Sequence, residues 1–304
     1  MNASAAAPLD PAAEAGIADV APQQSLGRDI WLRFRRNWMA MMGVAFVSIL
    51  ILAAIFAPLI TKYSPITPNL KARKLPPFSG DHYFGTDRLG RDVFAQIVYG
   101  ARISLKVGLL VAFSAALIGT IIGAVSGFVG GRVDGFVMRI VDIFLSVPYI
   151  ILTVALVGII GDGVGAVIIA LALTGWFIDA RVVRSSFLQL KEQEFVQAAK
   201  ALGYSNARII FRHILPNALQ PVIVYTTLGI GASILGESAL SFLAIGIKPP
   251  EPSWGLLVAT NKGLMDTMPH LVFFPGAAIF LTVLSFTVIG DGLRDALDPR
   301  LKSR

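Results

Sequence analysis

The sequence QAAKALG at residues 197–203, followed by HILP at residues 213–216, lies in a polar, charged loop between long apolar segments. This loop, residues 181–216, predicts two short helices that meet at Gly203, because glycine can adopt the positive φ that ends a helix. Serine is a favoured N-cap, so Ser205 is expected to start the second helix. Pro216 is expected to stop that helix before the next apolar run.

The small side chains of the loop allow two interpretations. Ala198 and Ala199 keep one helix face thin, which favours close approach of another protein. An ordinary amphipathic surface hairpin would also satisfy the apolar residues of the loop, which are Val196, Leu202, Ile209, Ile210 and Phe211. The residues of the loop alone leave both interpretations open.

The composition is that of a membrane protein. Hydrophobic residues make up 55% of the chain and charged residues 15%, and the mean hydropathy is +0.70. A soluble domain typically carries about 25% charged residues. The chain has no cysteine, which excludes disulfides and thiolate metal sites. The net charge of +7 is dispersed along the flanks of apolar runs without a nucleic-acid-binding motif, so membrane lipid is its expected partner and nucleic acid is not.

Six apolar runs are long enough to cross the roughly 30 Å hydrocarbon core of a bilayer. They lie at residues 39–60, 107–129, 136–160, 164–178, 222–245 and 271–289. The fourth run is short for a span, and its alternative end is Ala180. An even number of spans puts both termini on one side. Basic clusters before the first run, in the 181–216 loop and at the end of the chain predict that this side is cytoplasmic.

The sequence therefore divides into five parts. They are a cytoplasmic tail with an interfacial anchor (1–37), a first transmembrane helix (38–60), an external segment (61–106), a core transmembrane domain with the loop (107–290) and a cytoplasmic C-terminal tail (291–304). The first 27 residues predict a disordered tail and no cleavable signal peptide. In the external segment, residues 92–105 fit either an amphipathic helix on the outer face or an ordered loop. Thr86 and Asp87 with Arg88 and Arg91 favour a self-contained, salt-bridged cap, and direct contact with a substrate is the alternative.

The loop resembles the "EAA" loop of ABC importer permeases, in which Glu-Ala-Ala, a glycine and Leu-Pro keep a fixed spacing. Two positions depart from that pattern: Gln197 replaces the glutamate, with Glu194 one turn earlier, and His213 replaces an isoleucine. Other blocks resemble the smaller permease type of the dipeptide/oligopeptide branch, which also includes nickel and glutathione transporters. These blocks are GTDRLGRDV at 85–93, YGAR at 99–102, ESALSFL at 237–243 and GDGLRDALDP at 290–299.

This resemblance implies an all-α polytopic membrane protein with about six transmembrane helices in the type I ABC importer permease fold. The implied function is that of a permease subunit in an ATP-driven, binding-protein-dependent importer of di- or oligopeptides or similar small solutes. The implied location is the bacterial cytoplasmic (inner) membrane, with both termini cytoplasmic. The implied partners are a second homologous permease, two ATP-binding subunits and an extracytoplasmic solute-binding protein.

In that family the loop docks into a groove of the ATPase subunit and carries its motion into the membrane. The resemblance assigns this coupling role to Glu194, Gln197, Ala198, Ala199, Gly203, Arg208, His213, Leu215 and Pro216. The sequence contains no phosphate-binding P-loop, so ATP and Mg are expected on partner subunits. The chain itself is expected to be no enzyme and to bind no cofactor or metal.

Charged residues within apolar runs are functional candidates, because burying charge in a membrane is costly. Asp142 and Glu237 are therefore candidates for the translocation path or for helix contacts, and Arg139 lies three residues before Asp142, where the two side chains can pair. Gly119, Gly123 and Gly127 share one helix face, which favours close packing against a neighbouring helix or, alternatively, association with another subunit.

Two other classes of function make different predictions. A self-sufficient secondary transporter or channel predicts inverted repeats with broken helices, and the sequence shows no convincing halves. A membrane-embedded enzyme needs a catalytic set, whereas His82, His213 and His270 are scattered and cannot pair locally as metal ligands. The sequence leaves the solute open among dipeptides, longer peptides, glutathione and metal chelates.

Overall fold

The computed structural model describes residues 26–298, and within them the chain is helical with no β-strand. The helices are α1 (Leu26–Arg36), α2 (Trp38–Ile55), α3 (Ala57–Ile60), α4 (Val93–Val129), α5 (Gly131–Leu145), α6 (Tyr149–Ile160), α7 (Val164–Lys191), α8 (Glu194–Ala201), α9 (Asn206–Arg208), α10 (Leu215–Phe242), α11 (Trp254–Asn261) and α12 (His270–Leu297). A π-helical segment, Ile209–Ile214, joins α9 to α10. Of the expected disordered tail, residues 1–27, the first 25 lie outside the described residues, whereas residues 26 and 27 begin α1, so the expectation is wrong for those two. The last residues of the C-terminal tail, 299–304, also lie outside the described residues.

Five helices of the described chain are long and apolar enough to cross a membrane: α2, α4, α7, α12 and the continuous helix from α9 through α10. The pair α5 and α6 makes a sixth span if it is counted as one crossing, although its two halves meet at 91°. This confirms the expected all-α polytopic fold with about six spans.

The third expected span, residues 136–160, is not the straight helix that its hydropathy predicts. It breaks between Leu145 and Tyr149. The cause lies in Pro148, because proline has no N–H to continue the helix and disfavours helical backbone at Val147 before it.

Other helices run past the ends of their apolar runs. Helix α7 continues to Lys191, well beyond residue 178. Helix α4 already begins at Val93, where the side chain of Asp92 accepts a hydrogen bond from the Ala95 N–H (2.7 Å). Residues 93–105 are therefore the first part of a membrane-length helix. Hydropathy detects where apolar residues stop, whereas caps and breakers decide where a helix stops.

The glycine face of α4 packs directly against α7. A β-carbon at Gly119 would lie 2.5 Å from the Asp179 Cβ, one at Gly123 would lie 2.4 Å from the Ala180 carbonyl oxygen, and one at Gly127 would lie 2.7 Å from the Phe187 Cβ. These distances leave no room for a side chain. The sequence allows helix packing or subunit association for these glycines, and the structure shows that they pack α4 against the neighbouring span α7.

At one end of the bundle, residues 61–92 and α11 form a cap. The buried Asp87 carboxylate accepts hydrogen bonds from the backbone N–H groups of Leu89 and Arg91, from Arg91 Nε (2.7 Å) and from Gln96 Nε2 (3.0 Å). The expected salt-bridged cap is thus confirmed through Arg91, whereas Arg88 donates to the Thr260 carbonyl instead. The 181–216 loop lies at the opposite end.

Candidate functional site: a loop surface and a membrane cavity

Gly203 ends helix α8 in the left-handed conformation that the sequence predicts. Its φ is +74°, the Gly203 N–H donates to the Lys200 carbonyl, and the Tyr204 N–H donates to the Ala199 carbonyl (3.1 Å). A β-carbon at Gly203 would have no other heavy atom within 4 Å. The glycine is therefore required by its backbone and not by packing inside this chain.

The second loop helix starts as expected and ends differently. The Ser205 hydroxyl accepts a hydrogen bond from the Arg208 N–H and caps the helix. Pro216, expected to stop this helix, instead lies near the start of α10 in a helix that is continuous from residue 206 to residue 242. The wide π-turn before it, in which the Leu215 N–H donates to the Ile210 carbonyl, allows the proline to be accommodated.

One face of α8 is buried and the other is exposed. Val196 and Ala199 are buried against α7 and the π-helical segment, together with Phe187, Ile209 and Ile214. Ala198 and Gln197 face outward. The two alanines therefore do not share the thin face expected from the sequence, because consecutive helical residues are about 100° apart.

Large apolar side chains lie exposed beside Gly203. Leu202 is 72% and Phe211 is 69% exposed, and Phe195 is also exposed. Cationic side chains surround them: Lys200, Arg208 and Arg212 are all exposed. We call this set, Phe195, Ala198, Lys200, Leu202, Gly203, Arg208, Phe211 and Arg212, the loop surface. Its mixture of apolar and arginine side chains is typical of protein–protein contacts.

The two departures from the motif have local partners. Gln197 Nε2 donates to the Lys191 carbonyl at the end of α7 (3.1 Å), a bond that an ionised glutamate cannot make. His213 stacks on Tyr204, and the Arg208 guanidinium lies 4.1 Å from the centre of the same ring. Glu194 is an exposed residue in the first turn of α8, and Leu215 packs against the buried cluster under the loop.

The charged residues of the α5 region pair across helices. Asp142 forms an ion pair with Arg181 of α7, not with Arg139 of its own helix as the sequence suggests. Asp134 pairs with Arg184 of α7 and accepts from the Ser126 hydroxyl. Both arginines of α7 near the loop are therefore engaged by carboxylates, and Asp142 makes a helix contact.

Glu237 also makes contacts within the chain. It is fully buried in α10, and its Oε1 accepts hydrogen bonds from the Ser241 hydroxyl and from the Ser253 hydroxyl (both 2.8 Å). Ser253 is the N-cap of α11, whose Trp254 is completely buried. In this structure Glu237 thus ties α10 to the cap through Oε1, while its buried Oε2 has no hydrogen-bond partner among the described residues.

A cavity of about 440 Å³ opens among α4, α6, α7 and α10 at membrane depth. Its polar lining residues are Tyr149, Thr174, Asp179, Tyr225, Thr226 and Ser233. Asp179 was missed by the sequence analysis, which counted charged residues only up to residue 178 although the fourth run was allowed to extend to Ala180. The signal that could have found it is the helical pattern of α7, which continues through Asp179 to Lys191.

Metal chemistry finds no support in the part of the chain that the structure describes. Residues 26–298 contain no group of three or more His, Asp or Glu side chains placed to hold an ion. His82 bonds to Asp92 (2.8 Å), far along the chain from the Tyr204–His213 stack.

The fold first defines a class, a membrane-spanning helical bundle like those seen in two solved ABC transporters. The MetNI methionine ABC transporter, solved in inward-facing conformations, superposes with a TM-score of 0.57 at 20% identity over 67% of this chain and 96% of that one. An amino acid ABC transporter superposes with a TM-score of 0.52 at 14% identity over 66% and 94%. At such identities the likeness shows the fold alone.

The family follows from the sequence. The family described as "binding-protein-dependent transport system inner membrane component" matches residues 119–303, and "N-terminal TM domain of oligopeptide transport permease C" matches residues 25–77. The chain belongs to the binding-protein-dependent transport permeases, which are transporter subunits of the inner membrane. The resemblance to ABC importer permeases is thereby confirmed.

Relatives of high identity cover nearly the whole chain. The dipeptide transport system permease protein of Alkalihalophilus pseudofirmus is 44% identical over 91% of this chain and 90% of its own. The oligopeptide transport system permease protein of Bacillus subtilis is 44% identical over 96% of both chains. The glutathione transport system permease protein of Salmonella typhimurium is 45% identical over 90% of this chain and 91% of its own.

Proposed function

We propose that this permease conducts di- or oligopeptides, or small solutes of similar chemistry, which an extracytoplasmic solute-binding protein delivers. The support is the set of relatives named for dipeptide, oligopeptide and glutathione transport, each similar over at least nine-tenths of this chain. Glutathione is itself a tripeptide, so the three names share one chemical class of solute.

The loop surface receives the motion of an ATP-binding subunit. The observation that carries this proposal is the left-handed Gly203, which has open space around it and lies between exposed apolar and cationic side chains. Such a surface is costly to leave in water and suits the groove of a partner protein. The nine residues assigned from the motif have different environments. Ala199 packs α8 against the buried cluster under the loop, whereas Ala198, Gly203 and Arg208 are exposed and available to a partner.

The helices connect this surface to the membrane cavity. Helix α7 runs from cavity residues such as Thr174 to Lys191 beside the loop, and the continuous α9–α10 helix runs from Arg208 to cavity residues such as Tyr225. A displacement of the loop therefore moves two cavity walls together. ATP binding draws the two ATP-binding subunits together, the loop follows, and the pathway opens outward. Hydrolysis then resets it.

The assembly contains a second homologous permease, two ATP-binding subunits that hold ATP and Mg, and the solute-binding protein. The loop and both termini face the cytoplasm. The orientation is supported by the basic residues of α1 (Arg33, Arg35 and Arg36) and by Arg181, Arg184, Lys191, Arg208 and Arg212 near the loop. The chain binds no cofactor and hydrolyses nothing itself.

The test is reconstitution of the whole transporter in proteoliposomes, with and without its ATP-binding subunits. The complete complex is expected to hydrolyse ATP faster when loaded binding protein is added, and to take up peptide only with ATP. The permease pair alone is expected to do neither. Uptake that persists without both ATP-binding subunits would contradict the proposal and favour a self-sufficient secondary transporter or channel.

A further inference from the structure

Asp179 is the acidic side chain of the membrane cavity, and the rest of α7 does not neutralise it. Its carboxylate makes no hydrogen bond or ion pair to any residue between 26 and 298 that the structure describes. The two nearest arginines of its helix are already engaged, Arg181 by Asp142 and Arg184 by Asp134. An unpaired carboxylate in a membrane-embedded helix is costly, so its position calls for a cationic partner.

The fold makes specific room for this carboxylate. The Asp179 Cβ lies where a side chain at Gly119 would have to be, 2.5 Å from the position of a β-carbon there. Glycine at this point of the α4–α7 contact lets Asp179 sit between the helices and line the cavity. An ordinary packing position would not need a charge at this place.

Three aliphatic hydroxyl groups of the cavity are oriented by backbone carbonyls. Thr174, Thr226 and Ser233 each donate their hydroxyl proton to a backbone carbonyl four residues earlier, those of Ala170 (3.0 Å), Val222 (2.7 Å) and Gly229 (2.7 Å). The oxygens of Thr226 and Ser233 therefore offer lone pairs to a ligand, and that of Thr174 also lies 3.1 Å from the Thr153 hydroxyl. Together with the carboxylate, these oxygens form an acceptor wall, while the phenol groups of Tyr149 and Tyr225 in the same lining can donate as well as accept.

We propose that this cavity is a solute subsite in which Asp179 binds a protonated amine, the N-terminal ammonium group of a peptide. The ammonium group supplies three donors to the acceptor wall, and the first side chain of the peptide packs against apolar lining residues such as Val111, Leu171 and Ile178. The volume of about 440 Å³ falls within the range of about 300–1,000 Å³ of small-ligand sites. This subsite rests on the proposed transport of peptides.

The test uses the whole reconstituted transporter and the absence of cysteine from the natural chain. Tyr225→Cys places one thiol in the cavity wall, and its alkylation by N-ethylmaleimide is timed with alanine peptides of two to five residues. The same peptides with acetylated N-termini are the matched control. Free peptides are expected to slow alkylation at least about tenfold more than acetylated ones, the change that a lost charge-assisted hydrogen bond produces.

Asp179→Asn in the same background is expected to abolish the difference between free and acetylated peptides, and Asp179→Glu is expected to restore part of it. Leu173→Cys, on the exposed side of α7, is expected to react at one rate throughout. Equal protection by both peptide sets, or an unchanged difference in Asp179→Asn, would overturn the subsite. Failure of loaded binding protein to stimulate ATP hydrolysis in the unmodified transporter would instead overturn the proposed function.

Discussion

The cap and the loop lie at opposite ends of one helical bundle and differ in how far their polar side chains are buried. In the cap, buried polar groups bond to one another: Asp87 to Arg91 and Gln96, and His82 to Asp92. Ser253 of the cap also donates to Glu237 of α10, whose Oε2 has no partner among the described residues. At the loop, apolar groups such as Leu202 and Phe211 are left exposed. The cap exposes apolar side chains as well, Phe78 (80%) among them, so the two ends differ in their buried polar contacts and not in apolar exposure. The proposal that a partner docks at the loop therefore rests on Gly203 and the loop surface.

The largest loss of stability is expected from Asp87→Ala in the cap. Removing this carboxylate leaves two backbone N–H groups and the side chains of Arg91 and Gln96 without their shared acceptor. Breaking a buried ion pair typically costs about 3–5 kcal/mol. We expect a much lower melting temperature of the detergent-purified permease.

The control for this prediction is Asp81→Ala, since Asp81 pairs with Lys62 on the surface of the cap. An exposed pair contributes little, so its melting temperature is expected to stay close to that of the unmodified protein. Equal losses in the two variants would show that the cap does not depend on its buried polar contacts.

A smaller loss of stability is expected from Gly123→Ala, in the part of the bundle that lies between the cap and the loop. The added β-carbon would lie 2.4 Å from the Ala180 carbonyl oxygen, so α4 and α7 must move apart. Overpacking of this kind typically costs about 1–3 kcal/mol. The melting temperature measures it, and ATP-driven uptake is expected to fall as well because α7 carries both loop and cavity residues.

Gly158→Ala in α6 is the matched variant, because a β-carbon there has nothing within 4 Å. It is expected to leave both the melting temperature and the uptake unchanged. If Gly123→Ala also left the melting temperature and the uptake unchanged, the close contact of α4 with α7 would not matter to stability or transport.

Sequence reasoning correctly predicted features that depend on the chemistry of the residue itself. The positive φ at Gly203, the cap at Ser205 and the close approach at Gly119, Gly123 and Gly127 all depend on which atoms a residue has or lacks. The number of membrane crossings likewise depends on local hydropathy.

Sequence reasoning failed for features that are determined by a neighbouring helix or turn. The partner of Asp142 is Arg181 of another helix, and the continuity of the helix through Pro216 depends on a π-turn that precedes it. Asp179 was missed because only the charges inside the run ending at residue 178 were counted, although the run was allowed to reach Ala180 and its helix continues to Lys191. Such relations come from tertiary packing and from backbone geometry, which hydropathy does not report.

The central claim, that the loop surface docks to an ATP-binding subunit, is tested most directly by co-purification of that subunit with Gly203→Asp. A side chain at φ +74° costs on the order of 1 kcal/mol or more and projects into open space, toward the partner. Gly80→Asp is the matched control, because Gly80 has φ +59° and equally open surroundings in the cap. We expect both variants to reach the membrane at normal levels, with co-purification and uptake lost only in Gly203→Asp. Normal co-purification and uptake in Gly203→Asp would contradict the account and reduce the loop to an ordinary surface hairpin.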